Sequence, residues 1–308
     1  MTLKQVLEVY ELLDSPTVDG HQVTDLFAAH GLEVRCERVA GSQGHTDFVS
    51  GIIPGAEEGP TLGIIGRLGG IGARPTKIGL VSDADGAIVA LSAGLKLTDM
   101  ARVGDRLPGA VRFATHICPA APITPHEPTP FMDSPVDMAR MNAMEVHGEM
   151  QAILSVDTTR GNRVINHCGF AISPTVKEGY ILRVSEDLLD IMSWVTGRMP
   201  VVFPLTIQDI TPYGNGLYHL NSILQPATAT SAPVVGVALT AEAAGPRPAP
   251  PANHIEAATR FCVEVAKAFT AGRCRFYDPD EWKQIQARYG SLHFFQKMSR
   301  EELEHEHH

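Results

Sequence analysis

Apolar residues recur along the chain in two alternating spacings. Between Leu3 and Leu13 they fall three and four residues apart, which predicts an amphipathic helix. Short continuous apolar runs such as Thr61 to Gly66 separate the helical segments and are typical of strands buried on both faces of a sheet. The predicted helices cover Leu3 to Leu13, Gly20 to His30, Ala87 to Leu97, Met138 to Gln151, Ser185 to Gly197 and Ile255 to Ala271. The predicted strands cover Leu32 to Arg38, Asp47 to Ile53, Thr61 to Gly66, Ile78 to Val81, Val111 to Thr115, Ile153 to Val156, Gly169 to Ser173, Gly179 to Val184, Val201 to Leu205 and Pro233 to Ala241.

Strands that alternate with helices of this length favour an α/β fold. We expect three layers, α/β/α, around a mixed, mostly parallel central sheet. No long Ser/Gly-rich or charged linker divides the sequence, so residues 1–298 are expected to form a single domain. The loop at 119–135 contains six prolines and is predicted to be irregular. Residues 299–308 end in Leu303-Glu304-His305-Glu306-His307-His308, which resembles a purification tag, so these histidines are not candidate ligands.

Charge and cysteine content limit the binding partners and the cellular compartment that we expect. The chain carries 25 Lys and Arg against 35 Asp and Glu, a net charge of -10, which argues against binding to nucleic acid or an anionic membrane. Its five cysteines are scattered and lack a C-x-x-C pair, which fits a reducing cytoplasm better than a disulfide framework. The sequence has no signal-peptide core or membrane span, so we expect a cytoplasmic protein, and a homo-oligomer is left open.

The first candidate site is the turn Ser82-Asp83-Ala84-Asp85-Gly86. In α/β sheets ligands bind beyond the carboxyl ends of the strands, and this turn follows a predicted strand. Asp83 and Asp85 offer hard oxygen ligands for a divalent metal. The alternative is structural, because an Asp before an apolar helix is a preferred N-cap.

A second candidate site follows the next predicted strand, at His116-Ile117-Cys118-Pro119. His116 is a candidate metal ligand, and Glu127 in the proline-rich loop is a candidate general base for a metal-bound water. Cys118 is a weaker candidate, since buried cysteines are commonly structural.

Two further loops carry candidate chemistry. In the polar segment Gln208 to Ser222, Asp209 and His219 are able to do acid-base work, whereas Tyr213 and Asn215 are candidate substrate-binding residues. Several residues of this segment are also ordinary turn formers. The remaining loop is glycine-rich and runs from Gly66 to Pro75.

Two arginines flank the glycines of that loop. Arg67 and Arg74 could clamp a substrate carboxylate or lie on the acidic surface. Glu145 and His147, by contrast, are predicted to form the polar face of a helix.

The order of these parts resembles the superfamily of zinc aminopeptidases and related metal-dependent deacylases. The segment Gly79 to Leu91 is similar to the superfamily motif G-x-x-D-D-x-x-G, whose Asp bridges two metals. The resemblance implies a zinc-peptidase-like fold and a divalent metal, with zinc favoured. The chain departs from the superfamily where a His-x-Asp motif is replaced by Gly66-Arg67-Leu68-Gly69 and a Glu-Glu pair by His116-Ile117-Cys118.

Longer phrases are similar to those of a family of bacterial and archaeal proteins of about this length, catalogued as a domain of unknown function. They include Gly79 to Gly86, Thr115 to Pro119, Phe170 to Tyr180 and Gln208 to Gly216. The superfamily resemblance implies a metal-dependent amide-bond hydrolase that acts on a small peptide or amino-acid derivative, whereas the family of unknown function implies no activity. The alternative is a non-catalytic protein that binds a small ligand, or regulates, on a degenerate metallopeptidase fold.

Overall fold

The computed structural model describes residues 1–41, 43–67, 69–71, 80–124, 131–159, 161–242 and 251–296. Its helices are α1 (Leu3–Leu13), α2 (Gly20–Ala29), α3 (Asp85–Arg102), α4 (Met138–Glu145), α5 (Glu186–Thr196), α6 (Ala252–Thr270) and α7 (Pro279–Tyr289). Its strands are β1 (Arg35–Gly41), β2 (Gly44–Ile53), β3 (Leu62–Gly66), β4 (Val111–Ile117), β5 (Ile123–Thr124), β6 (Phe131–Met132), β7 (Ala152–Thr159), β8 (Gly169–Ile172), β9 (Val176–Lys177), β10 (Tyr180–Ile181) and β11 (Val234–Thr240).

A mixed sheet forms the centre of the fold. Its strand order is β1-β2-β4-β3-β7-β11-β9-β10, and β8 also pairs with β11. The four central strands β4, β3, β7 and β11 are parallel, whereas β2, β8 and β9 join them in antiparallel orientation. The predicted α/β fold with a mixed sheet is confirmed. Because the central strands are parallel, their carboxyl ends meet at one edge of the sheet.

Both faces of the central strands are buried, which explains their continuous apolar sequence. Ile64 and Leu154 point into the larger core, which contains residues of helices α1, α2, α3, α5 and α6. Ile65 and Ile153 point into a smaller core on the other face, with Leu224 of the 3-10 helix Ser222–Thr228. No helix in the described residues is long and apolar enough to span a membrane.

Several local predictions differ from the structure. The predicted strand Val201 to Leu205 is wrong: the segment makes a single bridge, Ile172 to Val202, and Pro204 has no N–H to continue a ladder. The proline-rich loop was expected to be irregular, yet β5 and β6 pair in it as a short antiparallel sheet. Helix α7 is absent from the prediction, and its N-cap Asp278 accepts hydrogen bonds from two backbone N–H groups.

A buried histidine ties three helices together and makes stability depend on pH. His30, at the end of α2, binds Asp99 of α3 through Nδ1 (2.7 Å) and Glu8 of α1 through Nε2 (3.0 Å). Burial lowers the pKa of His30, but the hydrogen bonds to Asp99 and Glu8 outweigh it and raise the pKa above its usual value. The stabilisation is therefore fully present below about pH 6.5 and is lost as the pH rises through the raised pKa.

We expect His30→Gln to lower the free energy of unfolding by about 1–3 kcal/mol at pH 6 and by less at pH 9. Urea unfolding at the two pH values measures this difference. His21→Gln on the exposed face of the same helix is the matched control. An equal loss at both pH values would contradict a role for the protonated imidazole.

Candidate functional site

A cleft lies at the carboxyl edge of the sheet. The space between its walls, counted together with the solvent at its open side, amounts to about 440 Å³. Its lining includes Arg67, Gly70, Asp83, His116, Cys118, Ala121, Asp133, Ser134, Met138, Met141, Asp157 and Ser222. The loops predicted to carry chemistry after β3 and β4, and before α3, therefore converge on one place.

Strand register places three ionisable side chains in a row across the cleft. Gly66 of β3 pairs with Thr115 of β4 on one side and Val156 of β7 on the other. The next residue along each strand is Arg67, His116 or Asp157. The backbone N–H of Arg67 donates to the carbonyl oxygen of Val156 (2.7 Å), which keeps this level of the sheet closed.

The floor of the cleft is a buried network of Arg67, Glu145 and His116. Arg67 donates from Nη1 to Oε2 of Glu145 (2.5 Å), and Nδ1 of His116 lies 2.6 Å from Oε1 of the same carboxylate. Gly69 donates its backbone N–H to Nε2 of His116 (3.3 Å). When Nε2 accepts that bond, Nδ1 carries the hydrogen and donates to Glu145. Metal binding through Nε2 would require the Gly69 hydrogen bond to break.

Glu145 was predicted on a polar helix face, and this prediction is wrong. The helix ends at Glu145, whose side chain is 1% exposed and points into the cleft floor. Burial raises the pKa of Glu145, but the charge of Arg67 and the hydrogen bonds from His116 and Arg67 outweigh it and hold the pKa below its usual range. The carboxylate is therefore ionised and fixes the guanidinium of Arg67 from one side.

Asp157 is a site residue that the sequence interpretation missed. It lies in β7 near its carboxyl end, where Oδ1 accepts the Thr158 N–H (2.6 Å) and Oδ2 accepts the Ser222 hydroxyl (3.2 Å). Complete burial raises the pKa of Asp157 to about 7, the charge of Asp83 adds to the rise, and Arg67 opposes it. The available signal was its position: an Asp that directly follows the predicted strand Ile153 to Val156.

The two aspartates of the turn before α3 lie on different sides of it. Asp83 lies in a 3-10 turn, Ser82–Ala84, and lines the cleft. Asp85 is fully buried, and the pKa of Tyr10 in α1 is raised by burial and by the charges of Asp14 and Asp85. Asp85 therefore lies on the α1 side of the turn. The N-cap position of α3 is occupied by Ala84, so neither aspartate is the cap.

Cys118 lines the cleft as a thiol. Its Sγ lies 3.7 Å from the carbonyl oxygen of His45, to which it donates. Burial raises the pKa of Cys118 to about 11, so the thiolate needed for nucleophilic attack is scarce at neutral pH.

Asp209 organises the polar loop rather than facing the cleft. Its Oδ1 accepts the backbone N–H groups of Leu220 (2.8 Å) and Asn221 (2.9 Å), and its Oδ2 accepts both the N–H and the hydroxyl of Thr206 (2.9 Å each). The carboxylate thus joins the two ends of the loop. In the described residues, the hydrogen bonds of Asp209 are to this loop, and its catalytic role stays a prediction.

The other loop residues divide between turn formation and the cleft. Nε2 of His219 lies 3.1 Å from the carbonyl oxygen of Thr211, and Asn215 donates to the Thr211 hydroxyl (2.8 Å). Tyr213 packs its ring on His219, with ring centroids 4.5 Å apart. Burial of its hydroxyl raises the pKa of Tyr213 to about 12, opposed by a hydrogen bond to Ser222 of the cleft. Arg74 and Glu127 lie outside the described residues.

Several solved structures share this fold. The bottromycin maturation enzyme BotP aligns with a TM-score of 0.54 and 17% identity, over 88% of this chain and 70% of that one. A Caenorhabditis elegans leucine aminopeptidase (LAP1) aligns with a TM-score of 0.55 and 11% identity, over 87% of this chain and 66% of that one. BotP in complex with Mn aligns with a TM-score of 0.51 and 15% identity, over 86% of this chain and 71% of that one.

The chain therefore has a metallopeptidase-like α/β fold, as its sequence resemblance implied. Residues 37–299 match the family described as "Protein of unknown function (DUF1177)", and the chain belongs to that family. No functionally curated protein matches the sequence.

Proposed function

We propose that the chain binds a small peptide or amino-acid derivative in the cleft, with the ligand's carboxylate on Arg67. The observation that carries this proposal is the position of the guanidinium: 2% exposed, fixed by Glu145, and lining a cleft at the carboxyl edge of a parallel sheet. Buried arginines that are held in place suit the recognition of carboxylates.

The second terminal nitrogen of Arg67 supports the same assignment. Nη2 contacts the thioether sulfur of Met138, which lines the cleft. A thioether is a weak acceptor, so a ligand carboxylate that displaced Met138 would gain a stronger hydrogen bond. Ser222, with the Tyr213 hydroxyl behind it, supplies polar contacts for the rest of the ligand.

A thermal-shift comparison of amino acids and dipeptides with their carboxyl-amidated forms tests this function. We expect free carboxylates to raise the unfolding temperature, because a ligand at 100 times its Kd stabilises by about 2.7 kcal/mol. Arg67→Lys keeps the charge but loses the planar guanidinium, so we expect its affinity to fall about tenfold or more. The control is Arg112→Lys, whose partner Glu149 is on the exposed surface. Equal binding of acids and amides would reject the assignment.

A second candidate function is the metal-dependent amide-bond hydrolase. The observation that favours it is the pair of carboxylates, Asp83 and Asp157, that line one cleft. The donor set does not fit a metal centre, however, because the described residues hold no group of three or more His, Cys, Asp or Glu placed to bind an ion. The buried cation Arg67 lies in the same cleft and would repel a divalent metal.

Metal content and hydrolysis of aminoacyl amides, measured on protein freed of its terminal histidines, distinguish the two functions. Stoichiometric zinc or manganese, with turnover abolished in Asp83→Asn, would establish the hydrolase. Under that function Asp83, Asp85 and His116 remain the proposed ligands, and Glu127, Asp209 and His219 the proposed acid-base residues. A cytoplasmic location and a homo-oligomer also remain predictions.

A further inference from the structure

We infer that the Arg67 guanidinium is the resident cation of the cleft and holds the place that a divalent metal would need. The positive charge is built into the fold, whichever ligand binds in the cleft, and it belongs to one residue, Arg67.

The first support is the position of Arg67 among the strand ends. Because β3 pairs with β4 and β7, Arg67 is flanked by His116 on one side and Asp157 on the other. The Asp157 carboxyl lies close enough for Arg67 to lower its pKa, although burial keeps that pKa raised overall. Asp83 lines the same cleft. The chain therefore already places a cation beside Asp157, in the cleft that Asp83 also lines.

The second support is that Arg67 cannot readily leave. Its partner Glu145 is as deeply buried as Arg67 itself, so a swing of the arginine would strand an uncompensated carboxylate. Arg67 also donates from Nη1 to Oδ1 of Asn142 (3.4 Å), which is buried as well. Arginine stays protonated in proteins, so a change of pH does not remove the charge. A metal would have to bind beside this fixed positive charge.

The third support is how the remaining side chains of the row are engaged. His116 uses Nδ1 for Glu145 and Nε2 for the Gly69 N–H. In this arrangement its nitrogens hold the network that fixes Arg67. The imidazole thus positions Arg67 through Glu145, and its Nε2 lone pair accepts the Gly69 hydrogen bond rather than binding an ion.

The test removes the ion pair as a unit and asks whether the cleft then accepts a metal. We compare the wild type with Arg67→Gln/Glu145→Gln, and with that variant carrying Asp157→Asn as well. His305, His307 and His308 are replaced by alanine throughout, so that the tail does not bind metal. Mn²⁺ binding is followed by calorimetry and by the shift in unfolding temperature.

We expect the wild type to show no cleft-dependent Mn²⁺ binding, and the double variant to bind Mn²⁺ at least ten times more tightly. Adding Asp157→Asn should abolish that gain. A folded double variant that binds no better than the wild type would overturn the inference, as would wild-type Mn²⁺ binding that is lost in Asp157→Asn. If the double variant does not fold, the comparison of Mn²⁺ binding between the wild type and Asp157→Asn is the test. Carboxylate binding to Arg67 is measured in a separate assay, so either proposal can fail without the other.

Discussion

Replacing Asp157 with Asn should stabilise the protein strongly at pH 8 and to a smaller extent at pH 5. Asp157 is buried at the carboxyl end of β7, and its pKa is raised from the usual value near 3.8 to about 7. Burying the charged form is therefore costly above neutral pH. An Asn side chain can still accept from the Thr158 N–H and can donate to the Ser222 hydroxyl.

Folding stability depends on pH because Asp157 binds its proton more tightly in the native state than in the unfolded chain. Between pH 4 and 7 the native state keeps a proton on Asp157 that the unfolded chain releases, so stability falls as the pH rises through this range. A difference of about three pKa units corresponds to a loss of roughly 4 kcal/mol, an upper figure because the fold can relax around the charge. Asp157→Asn should remove this pH dependence.

Urea unfolding at pH 5 and pH 8 measures the effect, with Asp190→Asn on the exposed surface of α5 as the control. His30 also loses its stabilising protonation as the pH rises, so the wild type should weaken through both groups. A combined His30→Gln/Asp157→Asn variant should show the flattest pH profile. A clear loss of stability in Asp157→Asn at pH 8 would contradict the prediction and would indicate that the charge of Arg67 outweighs the cost of burying the carboxylate.

Local pattern was sufficient for the elements that position the cleft. The helix at Leu3–Leu13 is confirmed at both ends, because its apolar stripe packs on one side only. The central strands are confirmed because they are buried on both faces and so read as apolar runs. The prediction of a strand from Val201 to Leu205 was wrong because its apolar residues pack into the smaller core without forming a ladder of strand hydrogen bonds.

The charged network could not be predicted from local pattern. Arg67 and Glu145 are 78 residues apart in sequence, and only the sheet order and α4 bring them together. Glu145 resembles any solvated helical glutamate until its helix is docked on the cleft. The location of the site could be predicted from the sequence. Asp83 comes just before α3 and His116 lies at the end of β4, and both line the cleft. Which side chains face one another there depended on strand register.

Replacing Glu145 with Gln should destabilise the protein by about 3–5 kcal/mol, since it leaves the Arg67 guanidinium buried without its counterion. The amide can accept one hydrogen bond from Arg67 but carries no charge, and it also weakens the contact with Nδ1 of His116. Guanidinium chloride unfolding gives the change in the free energy. Glu149→Gln, which breaks the exposed pair with Arg112, is the control and should have a much smaller effect.

A matched double variant separates the cost of the stranded charge from the value of the pair. Arg67→Met/Glu145→Leu replaces both charges with apolar groups of similar length and should recover much of the stability lost in Glu145→Gln. It should also lose carboxylate binding, because the cleft would no longer hold a cation. A double variant that is stable yet cannot bind would show that the buried pair is retained for the ligand at a cost to the fold. A double variant that is less stable than Glu145→Gln would instead show that the pair is chiefly structural.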